Sequence, residues 1–187
     1  MCRLSLILSV VVFAGCARQA NVEVEQEQPK PVSTDFKRLP TVLKVIPKTE
    51  EVVLYEGLPS DFWEPELRER EASRKSTIRL HGYPFYDEPL ALRPGDVEQV
   101  TALFCARGTF KNYRAQKPCG GYHPDYCVEW KTGAEVTRAL ICLECGEVKI
   151  FGPGAELHCD LIPEAGERLA RFLKPYQKNR PPAASAG

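Results

Sequence analysis

Four cysteines, Cys119, Cys127, Cys142 and Cys145, fall inside one strand-rich stretch that runs on to Phe151, and three chemistries are open to thiols so spaced. The first is a disulfide framework. With Cys2 and Cys16 set apart in the N-terminal segment, six of the eight cysteines remain: Cys105, Cys119, Cys127, Cys142, Cys145 and Cys159. In an oxidising compartment an even number reads as paired, with fifteen connectivities open. Each bridge stabilises by about 2–4 kcal/mol through its restriction of the unfolded chain. This is the leading expectation.

The second chemistry is a zinc site. Cys142-Leu143-Glu144-Cys145-Gly146 has the form of a metal knuckle at a β-turn, and Cys119 with His123 or Cys127 could complete a tetrahedral set. The alternative ligand set is therefore Cys119, His123, Cys142 and Cys145, although no second Cys-x-x-Cys accompanies it. The third is thiol–disulfide exchange, which needs a helix N-terminus or nearby cations to stabilise a thiolate. Cys142 instead follows Ala139-Leu140-Ile141 and has Glu144 close by, and both features oppose ionisation. Covalent haem attachment is excluded by Gly146, where that motif needs histidine.

Which chemistry applies depends on the compartment, and the N-terminus bears on that. Arg3 precedes an apolar run over residues 4–13, too short to cross a bilayer but with the charge order of a secretory signal. Phe13-Ala14-Gly15-Cys16 then resembles the lipobox of bacterial lipoproteins, with Phe13 where leucine is usual. The resemblance implies that residues 1–15 are a signal peptide and that Cys16 carries a diacylglyceryl group and an amide-linked acyl chain such as palmitate. Several chains together anchor firmly where one binds only reversibly. The implied place is the cell envelope, at the cell membrane or outer membrane with the domain outside the cytoplasm. The stretch from Cys119 through His123, Cys127 and Trp130 to Cys145 is also similar to domains of uncharacterised bacterial exported proteins, a likeness that implies no activity.

The elements that must position the cysteines follow from pattern. Residues 16–51 alternate charge with proline and read as a disordered tether, with a short strand near residues 41–46. Residues 52–55 are β-prone and open the folded part, and Phe62 and Trp63 read as core anchors before a short charged helix over residues 66–75. Residues 77–86 combine strand alternation with a break at His81-Gly82, where His81 reads as a structural histidine. Val97, Val100, Leu103 and Phe104 mark a helix that Asp96 is placed to cap and that Gly108 ends. Strands over residues 125–131, 136–143 and 148–151 make an antiparallel meander, with Tyr126, Val128 and Trp130 on one side and Cys127 and Glu129 on the other. A tight first turn sets Cys127 near Leu140 to Cys142. Ala165, Leu169, Phe172, Leu173 and Tyr176 give a last helix an apolar face, and residues 177–187 read as a disordered tail.

The fold class is α+β: a small antiparallel sheet of three to four strands with two helices on one face, in one cysteine-containing domain over residues 52–176. Lys plus Arg and Asp plus Glu balance at 25 each, so no field draws the chain to nucleic acid. Three histidines, His81, His123 and His158, are scattered, and no Ser-His-Asp context or phosphate-cradling glycine loop is present. The expected function is a lipid-anchored exported domain of binding or structural type, without catalytic residues or cofactor. The alternative is a zinc-binding or thiol-dependent protein that uses the Cys119–Cys145 region.

Overall fold

A computed structural model describes residues 28–115 and 117–181. The signal-like segment, Cys16 and the last tail residues, 182–187, lie outside the described residues. The fold is α+β, and its sheet is larger than the expected three to four strands. Strands β1 (Glu51–Glu56), β4 (Phe110–Lys111), β5 (Tyr126–Thr132), β6 (Glu135–Cys142), β7 (Glu147–Gly152) and β8 (Ala155–Leu161) form one antiparallel sheet in the order β1-β5-β6-β7-β8-β4. A separate hairpin pairs β2 (Thr77–Leu80) with β3 (Tyr83–Tyr86). The expected meander is its centre, and Cys127 pairs with Leu140 as the tight turn requires. Missing from the expectation were β8, which follows a turn at Pro153-Gly154, and the pairing of β1 with β5 across 69 intervening residues.

Alternation along these strands sorts the side chains onto two faces. On one lie Leu54, Val128, Trp130, Ile141, Val148, Ile150, Leu157 and Cys159, all buried in the main core. Helices α3 (Pro94–Cys105) and α4 (Pro163–Leu173) cover them with Val100, Leu103, Phe104, Leu169 and Leu173. Trp130 is fully enclosed, its ring 4.8 Å from that of Phe104, and its indole N–H donates to Thr101 Oγ1 at 3.2 Å. The helix α3 begins with Pro94 after an extended Arg93, and no side chain caps it. Asp96, expected as the cap, instead accepts from Arg93 Nε at 2.5 Å and from the Tyr176 hydroxyl, which ties α3 to the turn after α4.

The expected tether ends early. Two short 3-10 turns, Phe36–Arg38 and Ile46–Lys48, flank α1 (Leu39–Val42), and Leu39, Val42, Leu43 and Ile46 are buried in the main core. Their spacing is helical, i, i+3, i+4 and i+7, and Pro40 sits in the first turn where its missing N–H costs nothing. A strand over residues 41–46 would have turned half of these apolar groups to water. Val42 also lies so close to Gly152 that a Cβ there would meet the Val42 carbonyl oxygen at 3.0 Å.

The tail also departs from expectation, for residues 177–181 fold back. The Glu56 carboxylate is buried and accepts the backbone N–H groups of Lys178, Asn179 and Arg180 at 3.1, 2.6 and 3.0 Å. Arg180 then bridges Asp125 and Glu64 with its guanidinium. Beside this clasp the chain crosses itself closely: a Cβ on Gly57 would meet the Pro124 carbonyl oxygen at 2.1 Å, so only glycine fits. Glu56→Ala removes the acceptor from three N–H groups at once. The expected loss is about 2–4 kcal/mol in urea unfolding, with tryptic cleavage after Lys178 appearing in the variant well before the rest of the chain is cut.

Candidate functional site

The second face of the sheet carries the polar chemistry. Register places Cys142, Glu147 and Asp160 in one row across β6, β7 and β8, and Leu140, Lys149 and His158 in the next. All six point to the side opposite the main core. Apolar residues cover only part of this face, where Phe85 of β3 packs on Cys127 and Leu140. Over the rest lies the loop of residues 112–125.

Two carboxylates side by side under a loop need cations. Lys117 Nζ reaches Glu147 Oε1 at 2.7 Å and Asp160 Oδ1 at 2.6 Å, and His158 Nε2 lies 2.8 Å from Glu147 Oε2. Glu147, Asp160 and His158 are buried. Burial pushes the Glu147 carboxyl up, but the hydrogen bonds from His158 and Lys117 outweigh it and hold the group below its usual value. Burial likewise presses Lys117 down, and its bonds to Asp160 and Glu147 raise it on balance.

Aromatic rings enclose the ions. Tyr113 lies on His158 with 4.0 Å between centroids, and Tyr122 meets the same imidazole edge-on at 5.4 Å. The Tyr122 hydroxyl donates to the Leu140 carbonyl and accepts from the Lys149 N–H at 3.2 Å. The Lys149 ammonium sits 4.1 Å from the Tyr122 ring centroid and donates to Tyr83 Oη at 2.5 Å. Lys117, Glu147, Lys149, His158 and Asp160 thus each have a polar partner within the cluster.

One disulfide pins the loop. Cys119 is bridged to Cys145, their Cα atoms 5.6 Å apart and the residues 26 apart in sequence, which restricts the unfolded chain by about 3 kcal/mol. The bridge meets the expectation for those two cysteines. The other four candidates are thiols, not further bridges: Cys105 is exposed, and Cys127, Cys142 and Cys159 are buried. The sheet separates them. Cys127 and Cys142 are on the polar face and Cys159 on the core face, so no bond joins Cys159 to either, and Cys105 ends α3.

The alternative zinc set is not assembled. Cys119 and Cys145 are spent on each other, and among the described residues no group of three or more His, Cys, Asp or Glu side chains is placed to hold a metal ion. The knuckle geometry survives in one contact, for the Cys145 N–H donates to Cys142 Sγ at 3.3 Å. Burial pushes the Cys142 thiol up to about 11, more than the N–H groups of His123 and Cys145 pull it down, so it is protonated at neutral pH. Burial also holds Cys159 up at about 12 and Cys127 higher still.

Phe62 and Trp63, expected in the core, are 59% and 53% exposed. The Ser60 hydroxyl accepts both of their backbone N–H groups at 3.3 Å, and this turn throws the rings outward. They pack T-shaped, 4.6 Å apart, against the disulfide loop: Trp63 Nε1 donates to the Cys119 carbonyl at 3.3 Å, and the Phe62 ring lies on Gly120. His81, read as a structural histidine, sits in a tight turn. At φ +52° it forms the β2–β3 turn with Gly82 and stacks on Phe151 at 3.7 Å. Sequence reasoning missed Lys117, Glu147, Lys149, His158 and Asp160, although strict alternation with Val148, Ile150, Leu157, Cys159 and Leu161 marks most of them as one face. Comparisons with protein families, with curated proteins and with solved structures find no match for the chain.

Two outcomes follow for this site. Lys117→Ala leaves Glu147 and Asp160 without their shared cation and costs about 3 kcal/mol in denaturant unfolding. Glu147 has a depressed folded value, so its contribution is complete above about 4.5 and fades as pH falls below that. Lys117 has a raised folded value, so its contribution is complete below about 10.5 and fades as pH rises past its folded value. Wild-type stability should therefore plateau between these limits, and Lys117→Ala should flatten the alkaline edge. Separately, alkylation of the unfolded, unreduced protein should label Cys105, Cys127, Cys142 and Cys159 and spare Cys119 and Cys145 in peptide mass spectra. Labelling of Cys119 would refute the bridge.

Proposed function

We propose that the chain is an exported, lipid-anchored protein whose folded domain acts by binding. Residues 1–15 serve as the signal peptide, and Cys16 carries the acyl anchor in the cell envelope. The observation that carries this reading is the Cys119–Cys145 bridge, a bond favoured where thiols are oxidised. No helix among the described residues is long and apolar enough to cross a membrane, which leaves the acylated cysteine to hold the chain there. Residues 17–27, which follow Cys16, are a short and mainly polar stretch of sequence that suits a spacer between lipid and domain.

Binding fits the site better than catalysis. Lys117 and His158 occupy the buried carboxylates, and the Cys142 thiol is protonated, which argues against the thiol-dependent alternative. What the disulfide loop offers outward is a rigid surface, with the Phe62 and Trp63 rings laid against it. Export and acylation are tested together in bacteria grown with radiolabelled palmitate. Wild-type protein should take up label and fractionate with membranes, whereas Cys16→Ala should be unlabelled and soluble. An unlabelled wild-type protein in the cytosol would refute the reading.

A further inference from the structure

Beside the disulfide loop, a cavity of about 380 Å³ opens where α2 (Pro65–Arg74), the β2–β3 hairpin and residues 122–124 meet. Its walls include Asp61, Arg68, Arg79, Tyr83, Tyr122 and His123. The charge is uneven, with two guanidiniums against one carboxylate, while burial lowers the His123 imidazole from its usual value and keeps it neutral. Arg68 donates through Nη1 to the Pro59 carbonyl at 3.2 Å, and Arg79 through Nη1 to the Gly82 carbonyl at 2.7 Å. Each guanidinium has five N–H groups, so one anchors the side chain and the rest stay available. Among the described residues neither arginine takes part in an ion pair.

Like charges brought together in a partly buried place cost free energy unless an anion joins them. Burial lowers the Arg68 guanidinium from its usual value, and of the two nearby charges Asp61 opposes this while Arg79 adds to it. His123 adds an independent sign. Its Nε2 is buried and has no hydrogen-bond partner among the described residues, although buried polar atoms are nearly always satisfied. Its backbone N–H is bonded to Cys142 Sγ, and the disulfide-pinned loop holds it in place. A neutral imidazole nitrogen without a partner among the described residues, in the wall of the same cavity as two anchored guanidiniums, makes up a donor set that suits a phosphoryl group.

We propose that this cavity is a binding site for the phosphoryl group of a small phosphomonoester, with Arg68 and Arg79 gripping the oxyanion, His123 completing its hydrogen bonds, and Tyr83 and Tyr122 lining the space beyond it. The volume exceeds that of inorganic phosphate alone, which leaves room for an organic part. Asp61 at the rim suits a hydroxyl on that part. This deepens the binding reading above by naming a ligand class and does not depend on the lipid anchor.

The test uses the purified chain with inorganic phosphate and phenyl phosphate as probes. Phenyl phosphate should bind more tightly than inorganic phosphate in calorimetry, and both should move the His123 ring resonances of the wild-type protein. Arg68→Gln and Arg79→Gln should each weaken binding about tenfold or more, while Lys44→Gln at an exposed remote site leaves it unchanged. Because Arg68→Gln also removes a bond to Pro59, the wild-type His123 resonances decide the matter if that variant fails to fold. Unmoved His123 resonances at saturating phosphate, or equal binding by the arginine variants, would overturn the proposal. Neither result touches the acylation test, whose failure would leave this site standing.

Discussion

Two carboxylates on neighbouring strands, Glu147 and Asp160, face the same side of the sheet one cross-strand pair apart, and burying them demands positive charge between them. Lys117 meets the demand, and with it the loop of residues 112–125 is committed to lie across β7 and β8. Much else follows from that commitment. Tyr113 and Tyr122 are carried onto His158, Cys119 is brought within bonding reach of Cys145, and Cys142 and the His123 backbone are sealed beneath. The disulfide and the ion cluster act on the same loop from different atoms, one covalent and insensitive to pH, the other electrostatic and confined to a pH window.

The same constraint explains why the polar face is covered piecemeal. A sheet buried on its apolar side by α3 and α4 needs no second helical layer if its other side can be neutralised locally. Here the cover consists of a short hairpin and one disulfide loop. The segment before α1 lies along β8, where the His158 N–H donates to the Ser33 carbonyl at 2.7 Å, and residues 178–180 wrap their N–H groups around Glu56. The His158 N–H at the sheet's rim is satisfied by the first of these segments, and the tail's own N–H groups are satisfied by the Glu56 side chain. The cavity at Arg68 and Arg79 lies where the hairpin and the disulfide loop meet α2, and a pocket at such a junction can vary without disturbing the core.

Much of the central architecture was legible from alternation alone. Tyr126, Val128 and Trp130 against Cys127 and Glu129 define the two faces of β5, and Gly133 and Gly146 mark the reversals on either side of β6. Val97, Val100, Leu103 and Phe104 locate α3 by their period. The errors came where one signal admitted two periods or depended on distant partners. Residues 39–46 are apolar enough for a strand, but burial of Leu39, Val42, Leu43 and Ile46 together requires a helical turn. Phe62 and Trp63 are large and apolar, yet a local Ser60 turn sends them outward.

The sequence by itself determined the local periods, the turn positions, the charge balance and the signal-like N-terminus with Cys16. These depend on neighbours in the chain, which a linear reading contains. Which thiols meet, which carboxylates share a cation and which arginines converge were decided only by the tertiary structure. Cys119 and Cys145 are 26 residues apart, Lys117 and Asp160 are joined across β8, and Glu56 holds Arg180 from the other end of the domain. Such pairings are set by strand order and loop path, and many orders satisfy the same local pattern. Six cysteines therefore looked like three bridges, until the sheet placed Cys159 on one face and Cys127 and Cys142 on the other.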